Sequence, residues 1–325
     1  MAAGHRAHGD RRGGVRGLRA AARQGGLAPL SAAILALEEV AARGWPAPHT
    51  HRLGGWLLRA GDGWTRRANS VLALGDPGLP LDAAIAEVAA WYAGHGLPPA
   101  FSVPLPALAP LDAALAERGW RAELTTHVLT SALSTPSMQS GDSALSRPGM
   151  QPADSALSTR SMRPGDFALS TPGMRGVVVG LEGWPPVGWD EVYRGPEPLP
   201  PGALAILAGP PIVTFAAVRD DEQRVVATGR GVVTGEWLGI AAVEVRPDHR
   251  GRGLAVAVTD ALRGWGARHG AARAYLQVAD DNAAARTLYA RLGFTHHHTY
   301  RQRVPGPPRP GLRLPEPAQP WSRMP

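Results

Sequence analysis

The sequence predicts an α/β protein of the α+β type, with two folded modules joined by a disordered repeat linker. Three features support this prediction. β-Rich runs precede a strand–turn–helix segment in the second half of the chain, the first half echoes part of that pattern, and a low-complexity stretch lies between them. A chain of 325 residues is long enough for two modules of ordinary size.

The second module is expected over residues 176–303. Its β-branched runs are bounded by turn residues, and two of them flank the acidic turn Asp220-Asp221-Glu222 as the arms of a hairpin do. The expected order is a strand at 176–179, a helix beginning at Trp189, hairpin strands at 212–218 and 225–233, and a third strand at 237–245.

A glycine-punctuated turn follows the third strand and leads into an amphipathic stretch. Glycines permit left-handed backbone and close approach, and the N–H groups at the start of a helix attract anions. A pyrophosphate suits such a turn. The residues concerned are Arg250, Gly251, Arg252, Gly253, Leu254 and Ala255.

A second strand–helix segment lies further along the chain. Its Asn282 and Tyr289 are about two helical turns apart, so their side chains are expected on nearly the same side. Gly293 is expected to end this helix.

Together the two segments resemble the GNAT acyl-CoA N-acyltransferases. The residues that carry the resemblance are Val245-Arg246-Pro247, Arg250-Gly251-Arg252-Gly253-Leu254-Ala255, Asn282, Leu288-Tyr289 and Gly293-Phe294. The resemblance implies a mixed, mostly antiparallel sheet flanked by helices. It also implies transfer of an acetyl group from acetyl-CoA to a primary amine, by direct attack in a ternary complex, with the turn holding the CoA pyrophosphate.

The same resemblance implies roles for residues around the turn. The strand before the turn is expected to splay open, so that Val243 and Val245 contact the cofactor through main-chain atoms. Asn282 is expected to contact the pantetheine arm, with a helix N-cap as the alternative role. Tyr289 is the expected general acid that protonates the departing sulfur.

The sequence leaves open which group acts as the general base that deprotonates the amine. Some GNAT branches hold a glutamate at the position of Gln277, and an amide cannot accept the proton. Glu244 is the nearest carboxylate by sequence and is the candidate base. A solvent-facing role for Glu244, with deprotonation through water, is the alternative.

The first module, expected over residues 31–130, echoes the second. Trp91 and Trp265 are 174 positions apart, and so are Trp120 and Phe294. We infer a tandem duplication that left a degenerate GNAT-like module, with an unrelated α/β domain as the alternative. The catalytic pattern is lost at this offset, because Arg250, Gly253, Asn282 and Tyr289 correspond to Asp76, Leu79, Leu108 and Leu115.

Residues 131–175 contain a twelve-residue repeat in which Met138, Met150, Met162 and Met174 are in register. Prolines in the repeat interrupt any helix, so this segment is expected to be a disordered linker. An Arg/Gly-rich extension at 1–30 and a Pro-rich tail at 304–325 are expected to be disordered as well.

The formal net charge of +7 arises from the two tails, because residues 1–30 contribute +5 and residues 304–325 contribute +2. The remaining chain is formally neutral, which argues against a dedicated nucleic-acid surface. A non-catalytic CoA-binding sensor or scaffold, and a nucleic-acid-associated protein that uses its basic tails, are the alternatives to an enzyme.

Other classes of site are disfavoured by composition. The chain has no cysteine, which excludes disulfides and thiolate metal sites. His296, His297 and His298 would alternate between the two faces of a strand and could not converge on one ion, so no metal is expected. The sequence lacks an apolar run that could span a membrane and a recognisable secretory signal, so cytoplasmic residence is expected.

Overall fold

The computed structural model describes residues 30–133, 167–168 and 177–307. They form two compact units whose stretches interleave along the sequence. Unit 1 comprises the chain up to Ala42, His49–His127 and the chain from His297 onward, whereas unit 2 comprises Arg43–Pro48 and Val128–His296. The expected tails and most of the repeat linker lie outside the described residues, and the expected module boundaries stay predictions.

Unit 1 is a sheet with helices. Its elements are α1 (residues 30–44, the last two of which belong to unit 2), β1 (His49–Leu53), β2 (Trp56–Ala60), β3 (Val71–Ala73), α2 (Leu81–Gly94), β4 (Phe101–Leu105), α3 (Ala109–Glu117), most of β5 (Trp120–Ala132) and most of β12 (Thr295–Pro305). The strand order is β1-β2-β3-β4-β12-β5. Strands β3 and β4 are parallel, while β4 and β12 are antiparallel.

The apolar face of α2 packs on the sheet and forms part of the core of unit 1. Its buried residues Ala84, Ile85, Val88 and Tyr92 recur at helical spacing. They pack on aromatic residues of the sheet, where Phe101 contacts Trp56 and Trp120 edge to face, with ring centroids 5.1 and 4.9 Å away.

An ion pair attaches the C-terminal strand β12 to α3. Asp112 accepts hydrogen bonds from Arg301 and Arg303, and the two bonds from Arg303 are each 2.8 Å long. Burial alone would raise the pKa of Asp112, but the guanidinium groups of Arg303 and Arg301 outweigh burial and lower it. Arg303 also donates to the main-chain oxygen of Trp120 at 2.9 Å. This cluster therefore fixes β12 to two neighbouring segments of the unit.

Unit 2 contains the second, larger set of strands. Its elements are β6 (Phe167–Ala168), β7 (Val178–Glu182), α4 (Trp189–Arg194), α5 (Ala203–Ala208), β8 (Val213–Arg219), β9 (Val225–Thr234), β10 (Trp237–Val245), α6 (Leu254–Arg268), β11 (Arg273–Ala279) and α7 (Ala283–Arg291). From β6 to β10 each strand is antiparallel to the next, and β10 and β11 are parallel. The end of β5 follows β11.

The two faces of β9 hold different neighbours. A Cβ atom on Gly229 would lie 2.4 Å from Cγ1 of Val258, so glycine allows α6 to approach the sheet closely. Val258 and Leu262 of α6 are fully buried there. On the other face, Arg230 is buried and donates to the main-chain oxygens of Leu207, Ile206 and Gly44 at 2.7, 3.2 and 3.1 Å.

The predicted fold class is confirmed, because a mixed and mostly antiparallel sheet is flanked by helices. Along the chain, β1-β2-β3-α2-β4-α3-β5 and β8-β9-β10-α6-β11-α7-β12 have the same order. In each set the third and fourth strands are parallel.

Helices α2 and α6 also end in the same way. In α2, Nδ1 of His95 lies 2.9 Å from the main-chain oxygen of Trp91, and in α6 the same distance separates His269 from Trp265. In each pair the imidazole packs on the indole, with ring centroids 4.2 and 4.4 Å apart. These two pairs are 174 positions apart, which supports the inferred duplication.

We expect Asp112→Asn to destabilise the protein by about 3 kcal/mol, because it leaves two guanidinium groups without their counter-charge. The pKa of Asp112 is lowered in the folded state, so its contribution is full above the pKa of an unfolded aspartate and is lost as the pH falls through the folded value. Chemical unfolding near neutral pH and at about pH 3 measures this contribution.

The matched control is Asp82→Asn, which removes an exposed carboxylate that pairs with Arg118 and should cost much less stability, because solvent screens an exposed ion pair. The loss of stability in Asp112→Asn should shrink at the lower pH. An equal loss at both pH values would contradict the ion-pair explanation.

Candidate active site

Strand β10 loses its neighbour β11 halfway along its length. The two strands pair from Trp237 opposite Arg273 to Ile240 opposite Leu276, and no further. On its other side β10 stays paired with β9 as far as Val245. Within residues 177–307, no strand pairs with the β11-facing edge of β10 beyond Ile240. This is the separation that the resemblance implies.

A bulge lies in β10 where the strands separate. Ala241 is opposite Arg230 and Glu244 is opposite Thr228, so β10 uses one residue more than β9 over this interval. Ala242 has φ +54°, in the left-handed region that residues other than glycine rarely adopt. The sequence does not predict this bulge, because Ala242 follows another alanine within a strand-forming run and carries no signal of a left-handed backbone.

The turn after β10 has two glycines with left-handed backbone. Gly251 has φ +75° and Gly253, the N-cap of α6, has φ +76°. The N–H groups of Leu254 and Ala255, in the first turn of α6, have no acceptor inside the helix. In the described part of the chain no hydrogen bond engages the N–H groups of Gly251, Arg252 or Gly253 either. The turn therefore presents consecutive donors at the positive end of α6.

The two arginines of the turn are exposed and fold back on main-chain carbonyls. Nε of Arg250 donates to the oxygen of Val245 at 3.2 Å, and a terminal nitrogen of Arg252 donates to the oxygen of Asp248 at 3.2 Å. A guanidinium has five N–H donors, so each arginine keeps donors for an anionic ligand.

Asn282 caps α7. Its Oδ1 accepts a hydrogen bond from the N–H of Ala285 at 3.0 Å, so Asn282 has the helix N-cap role that was the alternative to pantetheine binding. The side chain is exposed and its amide nitrogen is a further donor. The contact with pantetheine stays a prediction. Gly293, with φ +81°, ends the helix as predicted.

Tyr289 is the buried residue of α7, with 7% of its surface exposed. Its ring packs edge to face on Phe294, with the centroids 5.7 Å apart. Burial raises the pKa of the Tyr289 phenol, and the charge of Glu244 raises it further. The hydroxyl is therefore protonated at neutral pH, as a proton donor must be.

Glu244 lies just after the bulge and faces two opposing effects. The residue as a whole is exposed, but protein atoms around its carboxyl partly desolvate that group and raise its pKa. The positive charge of Arg250 lowers the pKa and only partly offsets this rise. A carboxylate with a raised pKa is a stronger base than an ordinary one. On either side, Val243 and Val245 are partly buried against the core of unit 2.

The structure brings some of the predicted site residues together. Glu244 is coupled by charge to both Tyr289 and Arg250, and Arg250 is bonded to the main chain of Val245. Among the described residues, no hydrogen bond or ion pair joins Asn282 to this group.

The consecutive histidines have other roles. In unit 1, Nε2 of His298 lies 2.8 Å from Oε1 of Glu38, and its Nδ1 lies 2.8 Å from Nδ1 of His297. Over the described ranges, no three His, Cys, Asp or Glu side chains are grouped as a metal site would require. Nor does any helix in those ranges have the length and apolar character needed to cross a membrane.

Comparison with known sequences gives matches that extend over most of the chain. A family model described as "Probable histone acetyltransferase Rv0428c C-terminal" matches residues 31–303. "Uncharacterized N-acetyltransferase YobR" of Bacillus subtilis (strain 168) is 28% identical over 270 residues, which are 82% of this chain and 98% of that protein. "Probable histone acetyltransferase Rv0428c" of Mycobacterium tuberculosis H37Rv is 33% identical over 282 residues, 83% of this chain and 74% of that protein.

A solved structure has the same fold. The GCN5-related N-acetyltransferase from Kribbella flavida superimposes with a TM-score of 0.57 at 16% identity, over 84% of this chain and 95% of its own. The resemblance inferred from the glycine turn and the second strand–helix segment is thereby confirmed. The chain belongs to the GCN5-related N-acetyltransferases, in the family of the Rv0428c C-terminal region.

Proposed function

We propose that this chain is an acetyl-CoA-dependent N-acetyltransferase that transfers an acetyl group to a primary amine by direct attack in a ternary complex. One observation carries the proposal: in unit 2, the unpaired edge of β10 leads directly into a turn of unbonded main-chain N–H groups at the start of α6. One relative is named as an N-acetyltransferase and another as a probable histone acetyltransferase, which supports acetyl transfer. Membership of the GNAT acetyltransferases implies acetyl-CoA as the co-substrate.

The turn supports binding of the CoA pyrophosphate. Its N–H groups from Gly251 to Ala255 follow one another at the positive end of α6, and consecutive free donors at a helix start favour a phosphate-sized anion. Arg250 and Arg252 add positive charge and further donors.

The edge of β10 supports binding of the pantetheine arm. The main-chain groups of Val243 and Val245 have no strand partner on that side among the described residues, so they can bond the amides of pantetheine as a neighbouring strand would. Asn282 supplies a side-chain donor for the same arm.

Acetyl transfer to an amine needs a base, donors for the carbonyl oxygen and an acid for the sulfur. Glu244 takes a proton from the amine as the nitrogen–carbon bond forms. A main-chain N–H on the edge of β10 donates to the carbonyl oxygen. Tyr289 donates its proton to the sulfur as the carbon–sulfur bond breaks, and regains one from water afterwards.

The electrostatic coupling of Glu244 and Tyr289 suits this sequence of events. The negative charge of Glu244 raises the pKa of Tyr289. When Glu244 takes up the proton of the amine, that charge disappears and the pKa of Tyr289 falls. Tyr289 thus becomes a stronger acid in the step that needs its proton.

The positions in unit 1 that correspond to this site lack its features, which supports a non-catalytic role for them. There Oδ1 of Asp76 accepts a hydrogen bond from the N–H of Gly78 at 2.7 Å, and Pro80, which has no N–H, is the N-cap of α2. The residue that corresponds to Tyr289 is Leu115, which is fully buried. We therefore propose that unit 1 is a degenerate module and that unit 2 is the catalytic one.

The Gly251→Ala variant tests the anion site. Alanine is strained by about 1 kcal/mol at a positive φ, so the turn should shift and weaken binding of acetyl-CoA about tenfold, measured by calorimetry. Gly270→Ala is the matched control, because Gly270 also has a positive φ and open space around it but lies at the other end of α6. Equal loss of affinity in both variants would mean that the turn does not hold the cofactor.

Tyr289→Phe tests the general acid. Turnover should fall at least about tenfold because the sulfur loses its proton donor, while the affinity for acetyl-CoA stays nearly unchanged. Thiol release with a panel of primary amines, together with calorimetry, measures both quantities. Tyr300→Phe, at a buried tyrosine of unit 1, is the control and should retain turnover. Undiminished turnover in Tyr289→Phe would remove this role, and binding without turnover in the wild type would favour a CoA sensor.

Glu244→Gln tests the base. A base acts only when deprotonated, so kcat/KM should fall as the pH drops through the raised pKa of Glu244, and the variant should lose this acid limb along with about 100-fold in rate. When the wild type and the variants are assayed with the same amine, titration of that amine affects every pH profile equally. The profiles can then be compared directly. Glu222→Gln, in an exposed hairpin turn, is the control. An acid limb that survives in Glu244→Gln would assign deprotonation to water or to another group.

A further inference from the structure

The bulge in β10 rests on a residue that is poorly suited to it. In bulges of this kind the left-handed position is usually a glycine, because Cβ of any other residue comes close to the following carbonyl oxygen. Here the position is held by Ala242, with φ +54°. Something outside the local backbone must therefore keep Ala242 in this conformation.

Thr228 of β9 makes the contact that does so. Its hydroxyl donates a hydrogen bond to the main-chain oxygen of Ala242 at 3.1 Å. The side chain is fully buried, so the hydroxyl has no bulk water to bond instead. Thr228 is also the residue opposite Glu244, where regular pairing resumes after the bulge.

The direction of the next amide follows from this contact. In a trans peptide unit the C=O and the N–H point in opposite directions. Because the oxygen of Ala242 accepts from the Thr228 hydroxyl, the N–H of Val243 points away from that hydroxyl. The N–H of Arg246 donates to Val226 of β9, and N–H groups alternate between the two edges of an extended strand, so the N–H of Val243 belongs to the edge opposite β9. That is the side on which β10 has lost its pairing with β11.

We propose that Thr228 is a positioning residue that holds Ala242 in the left-handed conformation and so aims the N–H of Val243 at the carbonyl oxygen of the acyl group. The proposal rests on the proposed function for the identity of the ligand. The link between Thr228 and Ala242 does not depend on any ligand, so it can be tested separately.

The test is a double-mutant cycle with Thr228→Val, Ala242→Gly and the two combined. Valine keeps the shape of threonine but cannot donate, whereas glycine adopts a positive φ without help. In the ligand-free protein, Thr228→Val should therefore destabilise less when position 242 is glycine, as measured by chemical unfolding. Additive effects of the two substitutions would overturn the proposal.

The same variants are then compared in turnover and in binding. Thr228→Val should lower kcat about tenfold or more, because a donor to the carbonyl oxygen is misdirected, while the Kd for acetyl-CoA changes less than about threefold. Ala242→Gly should restore most of the lost kcat in the Thr228→Val background, and Thr228→Ser, which keeps the hydroxyl, should retain most of it.

The outcomes separate the two proposals. Wild-type protein that does not bind acetyl-CoA would refute the proposed function, whereas the stability cycle would still report on Thr228 and Ala242. Wild-type kcat in Thr228→Val, or a loss of kcat that Ala242→Gly does not restore, would overturn the positioning role of Thr228 while leaving the proposed function intact.

Discussion

The site of unit 2 depends on an asymmetry in the hydrogen bonding of β10, which keeps β9 along its whole length but keeps β11 only as far as Ile240. Two parallel neighbours must be joined by a crossover, and here the crossover is α6. The start of α6 therefore lies at the same end of β10 at which the strands separate. Unpaired strand groups and unbonded helix N–H groups are brought to one place by topology. The close packing of α6 on Gly229 fixes that helix start relative to the sheet.

Much of this arrangement could be predicted from the sequence because its signals are local. Runs of β-branched residues bounded by turn residues predicted the positions of β8, β9 and β10 to within a residue or two. Glycines gave the turn before α6 and the end of α7, since both positions need a positive φ. The pattern of Arg250–Ala255 followed by Asn282 and Tyr289 was enough for the family, which the comparisons confirm.

The rest could not be predicted because it depends on contacts between distant residues. A hydrogen bond joins the bulge at Ala242 to Thr228, and neither residue type predicts that contact. The pairing of β12 with β4, and its attachment to Asp112, joins residues that are almost 200 positions apart. The coupling of Glu244 to Tyr289 likewise depends on how β10 and α7 are placed in the folded unit. Sequence spacing alone cannot report such distances.

The comparison of α2 with α6 separates what a fold needs from what a site needs. At their C-terminal ends both helices carry the same tryptophan–histidine pair with nearly the same geometry. At their N-terminal ends they differ, because α2 begins at a proline next to a carboxylate-capped turn and α6 begins at a left-handed glycine. Either kind of N-terminus is compatible with packing of the helix on its sheet, since neither changes the buried face of the helix. Binding of an anion does not, because it needs free N–H groups and the absence of a competing carboxylate. A few residues at one helix start are therefore sufficient to remove the anion site from one copy while its core is retained.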